Sequence, residues 1–283
     1  MSLILILIFI IGICVGSFLN VLIDRLPHDE TILGRSHCDT CKKTLKSHEL
    51  IPIISFLIQR AKCRNCKTKL SWQYPLIELL TGVMFVLLWI FPPKLFMMIV
   101  FPNLAVAYST PNILIDPSIL TWQYVTAQFL LMALFSSMLV MFMTDLKYFI
   151  IPHWVQLSFA LIALALYFVG DVDLHLVVYR LGCGVVTMLP FLCLFQFTKG
   201  RGLGFADVIL AANIGLLAGI KYGFIAFYIS FIIGAVIGSF LLFFRKKGMK
   251  SKIPFGPFLI LGLVLMIYYF EPISTFLRFT YGI

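Results

Sequence analysis

Residues 2–23 form an uncharged, almost wholly apolar run. Seven more such stretches follow near 76–101, 124–144, 154–170, 175–197, 207–221, 223–244 and 255–270. A helix crosses a bilayer with about 20 mostly apolar residues, because it satisfies its own backbone hydrogen bonds in hydrocarbon. The expected fold is therefore an all-α polytopic membrane protein with about eight transmembrane helices. At 61% hydrophobic and 12% charged, with a mean hydropathy of +1.03, the chain is no soluble enzyme, disordered segment or disulfide-stapled scaffold. The first run does not read as a cleaved signal peptide. No basic segment precedes it, it is too long, and no small-residue cleavage site follows. The second run contains Pro92, Pro93 and Lys94 and is expected to end early. The sixth is short and Gly-rich. No internal repeat stands out.

Loop charge sets the expected orientation. Alternate loops at 24–74, 145–153, 198–206 and 245–254 hold 18 of the 22 Lys and Arg residues. Lys and Arg concentrate on the cytoplasmic side of membrane proteins. These loops are therefore expected to be cytoplasmic, which with eight spans puts both termini outside. The net charge of +10 then reflects basic loops, and nucleic acid is not an expected partner. The basic residues can instead hold the loops against anionic lipid headgroups.

The loop 24–75 carries two CxxC pairs, Cys38 with Cys41 and Cys63 with Cys66, separated by 21 residues. Two such knuckles supply four thiolates, the donor set of a closed structural zinc site. A pair of disulfides is the alternative, but a cytoplasmic loop sits in a reducing compartment. A nucleic-acid-binding zinc ribbon is a further alternative, made less attractive by membrane spans on both sides. The other three cysteines, Cys14, Cys183 and Cys193, fall in apolar runs and read as small packing residues.

The chain has only 12 acidic residues. Most fall in loops, and Asp24 and Glu78 flank the cysteine region at helix ends. Asp145 ends the third apolar run, and Asp207 opens the sixth after Gly200, Gly202 and Gly204. Both fall at the expected cytoplasmic boundary. Such residues can merely cap helices or meet headgroups, and a Gly-rich stretch can cradle phosphate. The phosphate reading lacks the GK[ST] ending. Ionisable residues at membrane depth are costly and mark function. Two carboxyls a few ångströms apart can hold one proton between them. One then takes a proton from water while the other donates to a scissile carbonyl, so peptide hydrolysis needs no metal.

Five stretches carry a family resemblance. They are residues 16–21 running on to Arg25, Leu26 and Pro27; the two CxxC pairs followed by residues 74–78; Asp145 through Ile151 and Pro152; residues 202–207; and residues 253–257. In order and spacing the chain resembles the type IV prepilin peptidases, bifunctional leader peptidase/N-methyltransferases among the GxGD aspartic proteases. The resemblance implies that Asp145 and Asp207 are catalytic and that Cys38, Cys41, Cys63 and Cys66 bind zinc. It implies cleavage of short basic leaders from prepilins or pseudopilins at the cytoplasmic face of the bacterial inner membrane. It also implies N-methylation of the new terminus from S-adenosylmethionine. No S-adenosylmethionine residues are readable, since the chain has no GxGxxG between strand and helix. The sequence departs from the family pattern at Asp39, His153, Ala206 and Ile209.

The expected organisation is a first helix at 1–23, a cytoplasmic zinc-binding domain at 24–75 and a membrane-embedded peptidase domain at 76–283. Three rival functions stand beside this reading. One is a GxGD protease acting on other membrane substrates, against which the cysteine loop argues. Another is a proton-coupled transporter, whose carboxylates would lie nearer the bilayer midplane. The third is a non-enzymatic assembly factor whose zinc loop binds a partner.

Overall fold

A computed structural model of the chain describes residues 2–38, 40–93, 95, 122–169, 174–200, 202–243 and 253–281. The distal part of the 76–101 run, most of the basic loop 245–254 and the acidic residues Asp116, Asp171 and Asp173 lie outside these. The helices are α1 (Ser2–Arg25), the short α2 (Ile54–Ile58), α3 (Gln73–Ile90), α4 (Trp122–Tyr148), α5 (His153–Val169), α6 (Leu174–Thr198), α7 (Phe205–Phe243) and α8 (Gly256–Tyr281). Among the described residues, five helical stretches are long and apolar enough to cross a membrane: Ser2–His28, α3, α4, α6 and Phe205–Leu241. Two more, His153–Val169 and Gly256–Phe270, are apolar but shorter. α3 stops at Ile90, before Pro92 and Pro93, as proline geometry requires of the residues ahead of it.

α7 is not one straight rod. Gly219 has φ 81° and ψ 177°, far from helical values. A Cβ built on Gly223 would lie 3.6 Å from the Cα of Gly215. Eight residues along a continuous helix span about 12 Å. The chain therefore reverses at Gly219 into a tight helical hairpin, which is why one apolar helix occupies two expected runs, 207–221 and 223–244. The carbonyls of Leu216 and Leu217, left at the end of the first arm, accept the Tyr167 hydroxyl at 3.1 and 2.8 Å. Arg180 lies over the Tyr167 ring at 5.6 Å and adds positive charge beside these carbonyls.

The chain divides into two compact units, Met1–Phe91 and Pro92–Ile283. In the first, α1 packs along α3. Gly12 and Gly16, four residues apart, form the contact: a Cβ on either would lie 2.7 Å from the Cα of Gly82 or of Glu78. Lipid offers no hydrophobic drive for helix pairing, so close backbone approach through small residues holds such a pair. In the second unit the first arm of α7 is central. Its Val208, Leu210, Ala211 and Ile214 are buried with Phe159, Ala163 and Leu166 of α5.

Candidate active site

Asp145 lies in the last turn of α4 and is 6% exposed. The chain leaves α4 through Phe149, whose φ of 58° is left-handed and whose N–H bonds the Asp145 carbonyl at 3.0 Å. Ile151 is then buried, and the Pro152 carbonyl starts α5 by accepting the Val155 and Gln156 amides. The Asp145 Oδ2 atom is buried without a hydrogen-bond partner among the described residues. It lies against Gly256, where a Cβ would approach it to 2.6 Å.

Asp207 is the third residue of α7 and 9% exposed. Its Oδ2 accepts the Gly204 N–H at 3.1 Å, the reciprocal arm of a capping box. The first turn of a helix also favours negative charge, because its free amides point that way. α5 fixes this turn from the side. Gln156, 1% exposed, donates Nε2 to the Ala206 carbonyl at 3.1 Å, and Asn213 donates to the Gln156 carbonyl at 3.1 Å. Four helix ends thus converge, those of α4, α5, α7 and α8, and the two carboxyls are close enough to interact electrostatically. Ala206 lies in helical backbone, not at positive φ, so alanine fits where the family usually has glycine. Ile209 is half-buried, and His153 is the exposed first residue of α5.

Residues 253–257 carry no role that their sequence reveals. In the structure they bring Gly256 onto Asp145. Gln156 was missed because a lone glutamine in an apolar helix carries no pattern. Its only signal was polarity inside a span.

In the first unit the four loop cysteines come together. Each offers a sulfur, and all four lie within 4.8 Å of one another. Cys38 Sγ and Cys66 Sγ are 3.7 Å apart. Four Zn–S bonds of about 2.3 Å in a tetrahedron put sulfurs about 3.8 Å apart, so the cluster fits such a metal. The two knuckles repeat one turn 25 residues apart, an internal repeat too short for the sequence to reveal. The Cys38 amide bonds the Lys43 carbonyl at 3.0 Å, and the Cys63 amide bonds the Thr68 carbonyl at 2.9 Å. Lys42 and Lys67 take matching left-handed φ values of 54° and 60°. Isolated antiparallel bridges, His37 with Thr44 and Lys62 with Lys69, close each turn.

The thiols differ in acidity. The Thr68 hydroxyl and amide push the Cys66 thiol down to about 6. The Lys43 amide lowers Cys41. The Cys41 amide favours the Cys38 thiolate, but burial and neighbouring thiols outweigh it and push Cys38 up to about 11. Four touching sulfurs do not all ionise by themselves, and a divalent cation removes that obstacle. Beside the second knuckle, a cleft of about 200 Å³ is lined by Lys46, Glu49, Arg64 and Asn65 among others.

Two family descriptions match the chain. The bacterial peptidase A24 N-terminal domain covers residues 10–91, and the type IV leader peptidase family covers residues 132–239. A prepilin leader peptidase/N-methyltransferase of Bacillus subtilis (strain 168) is 28% identical over 95% of this chain and 96% of its own. A protein of that name from Myxococcus xanthus (strain DK1622) is 51% identical over 27% of this chain and 23% of its own. One from Neisseria gonorrhoeae is 28% identical over 80% of this chain and 78% of its own. No solved structure matches the chain.

Proposed function

Because the chain belongs to the type IV leader peptidase family, we propose that it removes short basic leaders from prepilins or pseudopilins and then N-methylates the exposed residue. The observation that carries the peptidase reading is the pair of buried carboxyls, Asp145 and Asp207, held at four converging helix ends. One carboxylate takes a proton from the attacking water, and the partner carboxyl donates to the scissile carbonyl. The exposed Gly202 and Gly204 beside Asp207 leave room for an extended substrate segment. A basic leader followed by an apolar helix places its scissile bond at the membrane surface, the depth of both aspartates. The 18-to-4 split of basic residues supports a cytoplasmic position for that surface, and the family supports the bacterial inner membrane.

In this reading 24–75 is the zinc-binding domain, and the peptidase chemistry belongs to 76–283. Zinc held by Cys38, Cys41, Cys63 and Cys66 ties the two knuckles together and keeps no open coordination position. Purified, reduced protein is expected to hold about one zinc per chain. Cys38→Ser and Cys63→Ser are expected to lose it and to make 24–75 sensitive to proteolysis. Elemental analysis of unchelated protein checks this, and wild-type protein free of zinc would refute it. S-adenosylmethionine supplies the methyl group. Its amino-acid end needs a cation for the carboxylate and an anion for the ammonium. The cleft beside the second knuckle offers both, Arg64 and Lys46 together with Glu49.

Co-expression with a prepilin from the same genome tests the whole reading. Mass spectrometry is expected to find the pilin shortened by its leader and carrying one added methyl group. An intact leader in the presence of folded protein would overturn the peptidase assignment.

A further inference from the structure

Glu78 takes no part in the aspartate site. It lies in the first unit, on α3, one turn inside the helix start, and is 7% exposed. A carboxyl at membrane depth is costly and marks function unless something demands it structurally. Its surroundings are built around it. Ser17 of α1 presents its hydroxyl toward the carboxyl. The Ile53 N–H, from the loop above, donates to Oε2 at 2.7 Å. Ile53 itself has φ 60° and ψ −52°, and the Ile54 amide bonds back to the Pro52 carbonyl. That is a γ-turn of the rare, strained hand, on a β-branched residue for which positive φ is an outlier. Strain of this kind persists only where the surroundings impose it, and it gathers at functional sites.

Asn20 supplies the second, independent observation. It sits three residues after Ser17, on the same face of α1, and is 3% exposed. Its Nδ2 donates to the Tyr74 carbonyl at 3.1 Å, one turn before Glu78 on α3. Its Oδ1 is buried without a partner among the described residues. A buried amide oxygen left unsatisfied costs about 1–3 kcal/mol, so it points to a missing donor. The seam between α1 and α3 therefore offers an ionisable carboxyl and an unfilled acceptor about one helical turn apart. A group that donates several hydrogen bonds and carries positive charge matches both, and a protonated amine is such a group.

We propose that Glu78 and Asn20 form the amine-binding site of methyl transfer, with Glu78 as the base that frees the substrate's new N-terminal amine. This rests on the methyltransferase reading above. The site lies about 8–12 Å inside the end of α1, at 1.5 Å per residue from Arg25 to Asn20 and Ser17. Once its leader is gone, the substrate begins with an apolar helix, whose first amine sits at a comparable depth. The ammonium gives a proton to the Glu78 carboxylate while Asn20 Oδ1 accepts a second N–H. The freed lone pair attacks the methyl carbon of the sulfonium donor. The N–C bond forms, the C–S bond breaks, and the electron pair leaves on sulfur as a neutral thioether. The product is a secondary ammonium, and Glu78 returns its proton to water. On the same pair of helices the Tyr74 hydroxyl donates to Asp24 at 3.0 Å.

The test uses full-length protein in nanodiscs, labelled S-adenosylmethionine and a synthetic apolar pilin segment with a free N-terminal amine. Glu78→Gln keeps an oxygen for the Ile53 N–H but cannot take a proton. Methyl transfer is expected to fall by about 10²-fold or more. The residual rate should climb with pH through the titration of a free α-amine near 8. Leader cleavage and zinc content should stay at wild-type levels, which reports an intact fold. Asn20→Leu, nearly isosteric and at ease in a membrane helix, is expected to raise the KM for the amine more than it lowers kcat. Wild-type methyl transfer with an unchanged rate and pH profile in Glu78→Gln would overturn this site alone. Absence of transfer by wild-type protein would overturn the methyltransferase reading and the site with it.

Discussion

Asp145→Asn and Asp207→Asn are each expected to reduce leader cleavage by on the order of 10³-fold or more, since each removes a proton-transfer group that nothing nearby replaces. An asparagine keeps the size and most of the polarity of the carboxyl, so the fold should survive. At position 207 the amide oxygen can still accept the Gly204 N–H, which preserves the start of α7. At position 145 the amide oxygen can still accept the backbone N–H of Gly256 that the carboxyl receives, and no partner of Oδ2 is lost. Methylation of a pre-cleaved substrate should persist in both variants. The aspartates lie in the unit Pro92–Ile283, whereas the metal cluster, the charged cleft and Glu78 all lie in Met1–Phe91. The measurement is leader removal and methyl incorporation by mass spectrometry in parallel samples. Near-wild-type cleavage by either variant would remove that residue from the catalytic pair. Loss of methylation in a folded variant would mean the two reactions share groups.

What the sequence reveals follows from which forces leave a local trace. The apolar runs are legible because the bilayer imposes a length and a composition on each crossing helix. The four cysteines are legible because two knuckles need a fixed CxxC spacing, and the structure brings all four sulfurs within reach of one ion. Asp145 and Asp207 stand out because so few carboxyls occur in the chain. The hairpin at Gly219 was visible only as a short, Gly-rich run, because glycine signals a break without stating its angle. The Gln156 bond to Ala206 and the Gly256 contact with Asp145 join residues 50 and 111 positions apart, respectively. No periodicity encodes such pairs. The strained turn at Ile53 is the extreme case. Nothing about Pro52, Ile53 and Ile54 suggests positive φ, and the reason for it sits on another helix, in Glu78.

Gly256→Ala is expected to lower cleavage by about 10²-fold or more while leaving the membrane fold intact. One added methyl group would come within 2.6 Å of Asp145 Oδ2 and 2.8 Å of Ile151 Cδ1. Real side-chain carbons do not sit that close, so something must shift. Both obstacles are the far ends of flexible side chains, and neither is backbone. The fold can therefore accommodate the methyl cheaply by turning Asp145 and Ile151 aside. The chemistry cannot, because Asp145 must keep its carboxyl aligned with water, substrate and Asp207. A displacement of about 1 Å at a reacting group is enough for a loss of this size. The backbone at Gly256 does not itself demand glycine, since its φ is not among the positive values found elsewhere in the chain. Strain is thus ruled out as the source of the effect, and the contact with Asp145 is left. Ile151→Val tests the division of labour by removing the second obstacle, and it should recover little activity in Gly256→Ala if the clash with the carboxyl dominates. Cleavage kinetics on solubilised protein, with methyl transfer and thermal unfolding as fold controls, decide the matter. Full activity in Gly256→Ala would show that the approach of residues 253–257 to Asp145 has no part in catalysis.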